Sequence, residues 1–208
     1  MAIIAENTGT KREPIQQGNY VARCYQMIEI GTVQEEYEGQ KKIQRKVRFG
    51  WELPTELKVF DEAKGEQPLV ISNEYTVSMH EKAKLRAVLQ SWRGKAFTEE
   101  EAKSFDLTKL LGAPCMLNII HKETPNGTYA NIASISPLPK LMECPKQIND
   151  SFVLSYDTFD YGKYMLLPDF IKTKMQSSLE FQALNSPEHH AVDEPKSFRD
   201  DTDSDLPF

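Results

Sequence analysis

The chain has 208 residues, of which 39% are hydrophobic and 27% are charged, and its formal net charge is −6. This length suffices for one large domain, or for one domain with an extension, and the apolar content suffices for a buried core. Residues 185–208 hold seven acids and two bases, which leaves a charge of only −1 for the other 184 residues. An acidic isoelectric point therefore does not exclude a nucleic-acid ligand for the body of the chain.

Three cysteines lie far apart in the sequence, at Cys24, Cys115 and Cys144. Their odd number and spacing argue against a disulfide framework and match no zinc motif. No apolar stretch is long enough to cross a bilayer, and the N-terminus does not resemble a signal peptide. We therefore expect a cytoplasmic protein with no membrane partner.

The first predicted strand follows a polar arm, residues 1–17, which we expect to be flexible. Residues 20–30 favour a strand in which Ala22, Cys24, Ile28 and Ile30 share the apolar face. Arg23 and Tyr25 then point outward. Residues 32–40, with Tyr37, are predicted to form a connecting loop.

The second predicted strand, residues 41–51, separates apolar from basic side chains. Its odd positions carry Ile43, Val47, Phe49 and Trp51, and its even positions carry Lys42, Gln44, Lys46 and Arg48. A hairpin would place Arg23 and Tyr25 beside Lys46 and Arg48. A face both basic and aromatic suits a single nucleic-acid strand, although a merely solvated outer face is the alternative. The candidate contacts are Arg23, Tyr25, Tyr37, Lys42, Lys46 and Arg48.

After a predicted polar loop, residues 54–68, a third strand covers residues 69–77. Ser78 and Glu81 form a capping-box pattern for a helix that ends at Gly94. Its buried stripe is predicted to be Leu85, Val88, Leu89 and Trp92. A second capping box, Thr98 with Glu101, predicts a short helix, and residues 106–111 predict a further turn.

Two more strands, residues 114–121 and 129–136, flank the hairpin signal Asn126-Gly127. Five strands with a helix between the third and fourth give a mainly β, α+β class with the connectivity of the OB-fold, a partly open barrel that binds oligonucleotides. We predict this five-stranded OB-fold barrel over residues 18–140.

Residues 141–184 are predicted to form an extension that packs on the barrel. Pro168 marks a helix start, followed by a helical stripe of Phe170, Ile171, Met175 and Leu179. That stripe would dock on the barrel or on a second copy of the chain, so a homo-oligomer is one expected state. Residues 185–208 have few apolar residues and are predicted to be a disordered acidic tail.

We find no pattern typical of an enzyme. There is no glycine-rich phosphate loop, and the histidines and cysteines have no metal-ligand spacing. His80 beside Glu81 is expected to be solvated, and the acids of residues 99–101 suit the first turn of a helix. The sequence therefore predicts a non-enzymatic protein with no cofactor and no metal.

The C-terminal residues join an acidic run to a small apolar end. Four aspartates, Asp200, Asp201, Asp203 and Asp205, precede Leu206, Pro207 and Phe208. This ending resembles the acidic tip of bacterial single-stranded DNA-binding proteins. The whole organisation is similar to that of bacteriophage replication single-stranded DNA-binding proteins, which pair an OB-fold with an acidic, phenylalanine-ended tail.

The resemblance implies sequence-independent single-stranded DNA binding by the body, in the host cytoplasm if the protein is viral. It also implies that the tail recruits replication, recombination or repair proteins, with Asp200 to Phe208 as the contact. Three alternatives stay open: a solubilising tail, a tail that folds back over its own basic face, and an interaction adaptor whose OB-like barrel binds no nucleic acid.

Overall fold

The computed structural model describes residues 13–37, 39–125 and 127–186. Six strands and five α-helices lie in this part of the chain, with a 3-10 turn at Leu107–Leu110. Their bounds are β1 Gly18–Tyr37, β2 Gln40–Asp61, β3 Gly65–Thr76, α1 Lys84–Arg93, α2 Glu99–Lys103, β4 Pro114–Thr124, β5 Gly127–Ser136, β6 Phe152–Leu154, α3 Tyr161–Met165, α4 Asp169–Gln176 and α5 Leu179–Leu184.

The strands form one sheet in the order β3-β2-β1-β4-β5, with every neighbouring pair antiparallel. The short β6 pairs in parallel with β1 at Gln26 to Ile28, beyond the part of β1 that β4 occupies. The mainly β, α+β class predicted from the sequence is confirmed. None of the helices in the described part of the chain is long and apolar enough to span a membrane.

The inner face of the sheet carries the main core. Val47, Phe49 and Trp51 point into it from β2, as the predicted alternation requires, and α1 covers it with Leu89 and Trp92. Trp92 is 5% exposed and its Nε1 donates to the carbonyl oxygen of Pro114 over 2.9 Å. This inner cluster also contains Ala22, Cys24, Met27, Leu53, Ile71, Tyr75, Leu85, Cys115, Leu117, Ile119, Ile132 and Ile135.

The outer face carries a second, smaller apolar cluster beneath the extension. Ile28, Ile30 and Val33 of β1 contact α3, α4 and the residues that join them. The other buried members are Leu154, Tyr164, Leu167, Ile171 and Met175. The extension therefore packs on the sheet face opposite to α1.

Two bulges in β1 explain why its predicted single apolar face is wrong. The register with β2 shifts between Cys24 and Gln26, and again between Glu29 and Gly31. Each extra residue turns the following side chains to the other face. Ala22 and Cys24 consequently lie in the inner cluster, whereas Ile28 and Ile30 lie in the outer one.

Two predicted loops are strand instead. Residues 32–40 continue β1 to Tyr37, which pairs with Gln40. Residues 54–68 continue β2 to Asp61 and begin β3 at Gly65. These hairpin ends are largely exposed on both faces, so no apolar alternation marks them as strands.

One of the two predicted capping boxes forms. Thr98 and Glu101 exchange both bonds at the start of α2, as predicted. The box at Ser78 and Glu81 is wrong, because α1 begins only at Lys84 after Ala83, which makes no side-chain cap. The predicted helix end at Gly94 is confirmed, with a φ of 64°.

Candidate functional site

The outer face of β1, β2 and β3 is the surface on which the sequence placed nucleic-acid contacts. Because β2 has no bulge between Lys46 and Leu53, its even residues Lys46, Arg48 and Glu52 share this face. Val70 and Ser72 of β3 lie beside them, opposite Glu52 and Gly50. Two separate segments cover the ends of this face and leave its middle open.

A strap, residues 144–149, covers one end. The Glu52 carboxylate is fully buried and accepts the backbone N–H of Ile148 over 2.8 Å and that of Asn149 over 2.7 Å. The side-chain amide of Asn149 donates to it as well, over 2.8 Å. Arg23 donates to the carbonyl oxygens of residues 112, 144 and 145. Both charged side chains therefore hold the strap on the sheet.

Ion pairs hold α4 at the other end. Lys174 of α4 lies 2.6 Å from the carboxylate of Glu35 and 2.6 Å from that of Glu74. Lys46 pairs with Glu35 over 2.8 Å. Hydrogen bonds from Lys174 and Lys46 lower the pKa of the Glu35 carboxyl from its ordinary value. Lys46 is thus committed to an internal network.

A central groove remains open between the strap and α4. It has a volume of about 260 Å³, and its lining includes Tyr25 of the β1 bulge, Arg48 of β2 and Phe170 of α4. Phe170 is 63% exposed, and the guanidinium of Arg48 lies 5.4 Å from the centre of its ring. Gln26, Val70, Ile71, Ser72, Pro168 and Ile171 complete the lining.

Unlike Lys46 and Lys174, Arg48 forms no ion pair with a carboxylate of the described residues. Arg23 forms none either, but its guanidinium is hydrogen-bonded to backbone carbonyl oxygens. One of the N–H groups of Arg48 donates to Ser72 Oγ over 2.5 Å. Burial lowers the pKa of its guanidinium, although the nearby Glu74, itself bonded to Lys174, acts in the opposite direction. A half-buried cation without a counterion is costly unless a ligand anion meets it.

A second cavity extends the groove past the edge of β3 toward β5. Its volume is about 610 Å³, and it shares Val70, Ile71 and Ser72 with the central groove. Tyr129 of β5 lines it and is 52% exposed. The two cavities therefore meet at β3, with Phe170 in the lining of one and Tyr129 in the lining of the other.

The structure brings together only part of the predicted site. Tyr25 and Arg48 share the central groove. Arg23, however, pairs with Glu52 in the β1–β2 register and is not beside Lys46, because the two strands stay paired as far as Tyr37 and Gln40 instead of ending at a loop over residues 32–40. The predicted placement of Arg23 beside Lys46 and Arg48 is therefore wrong.

The remaining predicted contacts lie outside this groove. Lys42 is exposed near the end of β2, opposite Glu35. Tyr37 pairs with Gln40 through β1, and its side chain lies outside the described residues. The tail residues Asp200, Asp201, Asp203, Asp205, Leu206, Pro207 and Phe208 also lie outside them.

Sequence reasoning missed Phe170 as a groove residue, since it placed this ring on the buried stripe of its helix. Only Ile171 and Met175 of that stripe are buried, whereas Phe170 and Leu179 are exposed. The spacing from Ile171 through Met175 to the buried Ser178 fits one helical face without Phe170. This spacing is the feature of the sequence that would have distinguished the buried residues of the helix from the exposed Phe170.

The three cysteines are free, and burial raises the pKa of Cys24 to about 12. Within residues 13–37, 39–125 and 127–186, no three histidine, cysteine or acidic side chains cluster as metal ligands would. Comparison with protein-family models and with curated proteins found no match for this chain.

Proposed function

We propose that the protein binds single-stranded DNA without strong sequence preference, through the groove on the outer face of β1 to β3. The observation that carries this proposal is Arg48, a half-buried cation that forms no ion pair with a carboxylate of the described residues and lines one groove with Tyr25 and Phe170. A phosphate would supply the missing counterion, and rings beside a cation are the combination that single strands use.

The sheet topology supports a second part of the proposal, that the five long strands form a partly open OB-fold barrel. β3 and β5 are the two ends of the strand path, yet both line the cavity of about 610 Å³. The two edges therefore approach each other without pairing. OB-folds bind oligonucleotides on the face of their second and third strands, which is where Arg48 and Ser72 lie.

The proposed role is stoichiometric protection of a single strand. Arg48 meets a phosphate, the exposed rings contact bases, and the strand continues toward Tyr129 along the joined cavities. Since Arg23 and Lys46 serve internal contacts, fewer phosphates are neutralised than the sequence suggested. Each phosphate contact contributes roughly −0.7 to the slope of log affinity against log salt for a single strand.

A mobility-shift titration tests the proposal with single-stranded and double-stranded oligonucleotides of equal length. We expect binding of the single strand, and R48Q should weaken it and reduce the magnitude of the salt slope by roughly 0.7. R45Q is the matched control, because Arg45 lies on the same strand but lines a cavity with Met27 and Phe105 elsewhere on the sheet. Unchanged binding by R48Q would contradict the proposed site.

We further propose that the residues Asp200 to Phe208 recruit replication, recombination or repair proteins. Phe208 would fill an apolar pocket, and basic residues of the partner would meet the aspartates. Deletion of these nine residues should abolish partner capture while single-stranded DNA binding persists. Tighter DNA binding at low salt after the deletion would indicate that the tail also competes for the groove.

An interaction adaptor is the second candidate, and the β2–β3 hairpin favours it. Leu57, Val59 and Phe60 are 45%, 50% and 48% exposed at the end of this hairpin. Exposed apolar side chains near one another on a surface are typical of protein–protein contact sites. Failure of the wild-type protein to shift single-stranded DNA at moderate salt would favour this function.

A further inference from the structure

The central groove has the walls of a pocket for a flat ring. Tyr25 faces it from the bulge of β1, and Phe170 faces it from the first turn of α4. These residues belong to different parts of the fold, one in the predicted barrel and the other in the extension. The space of about 260 Å³ that they line suits one nucleobase and is too small for a base pair with its neighbours.

The lining of the pocket includes polar groups, Ser72 and Gln26, that can hydrogen-bond to the edge of a base. Ser72 Oγ accepts a hydrogen bond from Arg48, which leaves its own O–H free to donate. The carboxamide of Gln26 has both a donor and an acceptor group. Gly50 leaves room for this carboxamide, since a Cβ there would lie 3.0 Å from Gln26 Oε1.

We propose that this pocket takes one unstacked nucleobase of the bound strand between Tyr25 and Phe170. The inference rests on the proposed single-stranded DNA binding and adds the ligand of the pocket. Phe170 makes the extension part of the site, so residues 18–140 alone would have an incomplete interface. Single strands are selected because a base within a duplex cannot leave its stack without the cost of unpairing.

The test combines removal of the ring with removal of the bases, in the full chain. F170A is compared with wild type on an oligothymidylate and on a base-free sugar-phosphate oligomer of equal length. We expect F170A to weaken oligothymidylate binding by about 5- to 150-fold, the range that one base–ring contact supplies. Binding of the base-free oligomer should be unchanged, since Arg48 and its phosphate remain.

L166A is the matched control, because Leu166 belongs to the same extension and is 78% exposed. Circular dichroism should show that both variants are folded. As a second measurement, iododeoxyuridine-substituted DNA is crosslinked to the wild-type protein, and the attached peptides should contain Tyr25 or Phe170.

Two other outcomes would overturn the base pocket, and a third would overturn the proposed function. Equal losses by F170A on both oligomers would mean that the ring acts only through Arg48, which overturns the base pocket. Crosslinks confined to other rings, such as Tyr129, would overturn it too while leaving single-stranded DNA binding intact. A wild-type protein that binds neither oligomer would overturn the proposed function itself.

Discussion

The two faces of the sheet are covered by different means. On the inner face, α1 and the neighbouring strands bury a continuous cluster that includes Phe49, Trp51 and Trp92. On the outer face, the contacts are a small apolar cluster, ion pairs of Lys174 and the hydrogen bonds of the buried Glu52 carboxylate. Apolar packing provides most of the cover of one face, whereas the mixed cover of the other leaves the central groove open.

This difference separates the contacts that stabilise the fold from those that border the proposed binding groove. Packing on the inner face is dense and non-directional, so it stabilises the whole fold. Contacts on the outer face are directional, and each holds one covering segment at one place. The groove persists because the strap and α4 are fixed independently on either side of it.

The largest expected effect lies in the inner cluster. Trp51 is fully buried and packs against Phe49 and Trp92, so W51A should lower the free energy of unfolding by about 3–5 kcal/mol. Urea unfolding followed by circular dichroism measures this loss. V59A, at a half-exposed site, should stay within about 0.5 kcal/mol of wild type. A loss below about 1 kcal/mol in W51A would contradict the dense inner core.

Gly31 tests whether the extension is fixed to the outer face. Its φ is 92°, and an added Cβ would lie 2.7 Å from Ser178 and 2.8 Å from Glu180 at the start of α5. G31A should therefore destabilise by about 1–3 kcal/mol more than G65A, which has a similar positive φ of 68° but nothing within 4 Å.

Hydrogen exchange should place this extra loss in the extension. If G31A and G65A are equally destabilised, α5 does not pack on β1 as described. The backbone strain common to both variants is about 1–2 kcal/mol and cancels in the comparison.

Glu52 tests the strap. E52Q replaces one carboxylate oxygen by an NH2 group, which cannot accept the backbone N–H that it faces at residue 148 or 149, at an expected cost of about 1–3 kcal/mol. Limited proteolysis should then cut near residues 144–149 before it cuts elsewhere. The exposed Glu66 provides the control, since E66Q should leave the cleavage pattern unchanged.

The smallest expected effect is a dependence on acid pH. The pKa of Glu35 is lowered in the folded protein by hydrogen bonds from Lys174 and Lys46. The ionised Glu35 carboxylate therefore contributes fully to the stability of the fold at pH values above its unfolded-state pKa of about 4.3. This contribution is lost as the pH falls through the lower pKa of the folded state. Hydrogen exchange of the backbone amides of α4 should therefore become faster below about pH 4. In E35Q, the part of this increase that comes from protonation of Glu35 should be absent.

Local patterns in the sequence predicted most elements of the fold. Each correct prediction depended on residues close together in the sequence. Examples are the alternation around Phe49, the capping box at Thr98 and the helix end at Gly94. The bulge at Tyr25 left no such signal, because it arises where the partner of β1 changes from β4 to β6. This single extra residue reversed the faces of the side chains that follow it, up to the second bulge between Glu29 and Gly31.

The candidate site was only partly predictable for a related reason. Lys46 and Arg48 have the same chemistry and the same parity in β2, so the sequence alone treats them alike. The structure separates them through Glu35, which lies on another strand, and through Lys174, more than a hundred residues away. Which cation stays without a counterion is decided by such distant contacts.

Tyr25 lies in β1 at the point where the pairing with β4 ends and the pairing with β6 begins. On one side of it β1 belongs to the pairing with β4, and on the other side to the pairing with β6 and the extension. The sheet provides one wall of the groove with Tyr25 and Arg48, and α4 of the extension provides the other with Phe170. Substitutions within α4 can therefore change what the groove accepts while the sheet beneath it keeps its sequence and its shape.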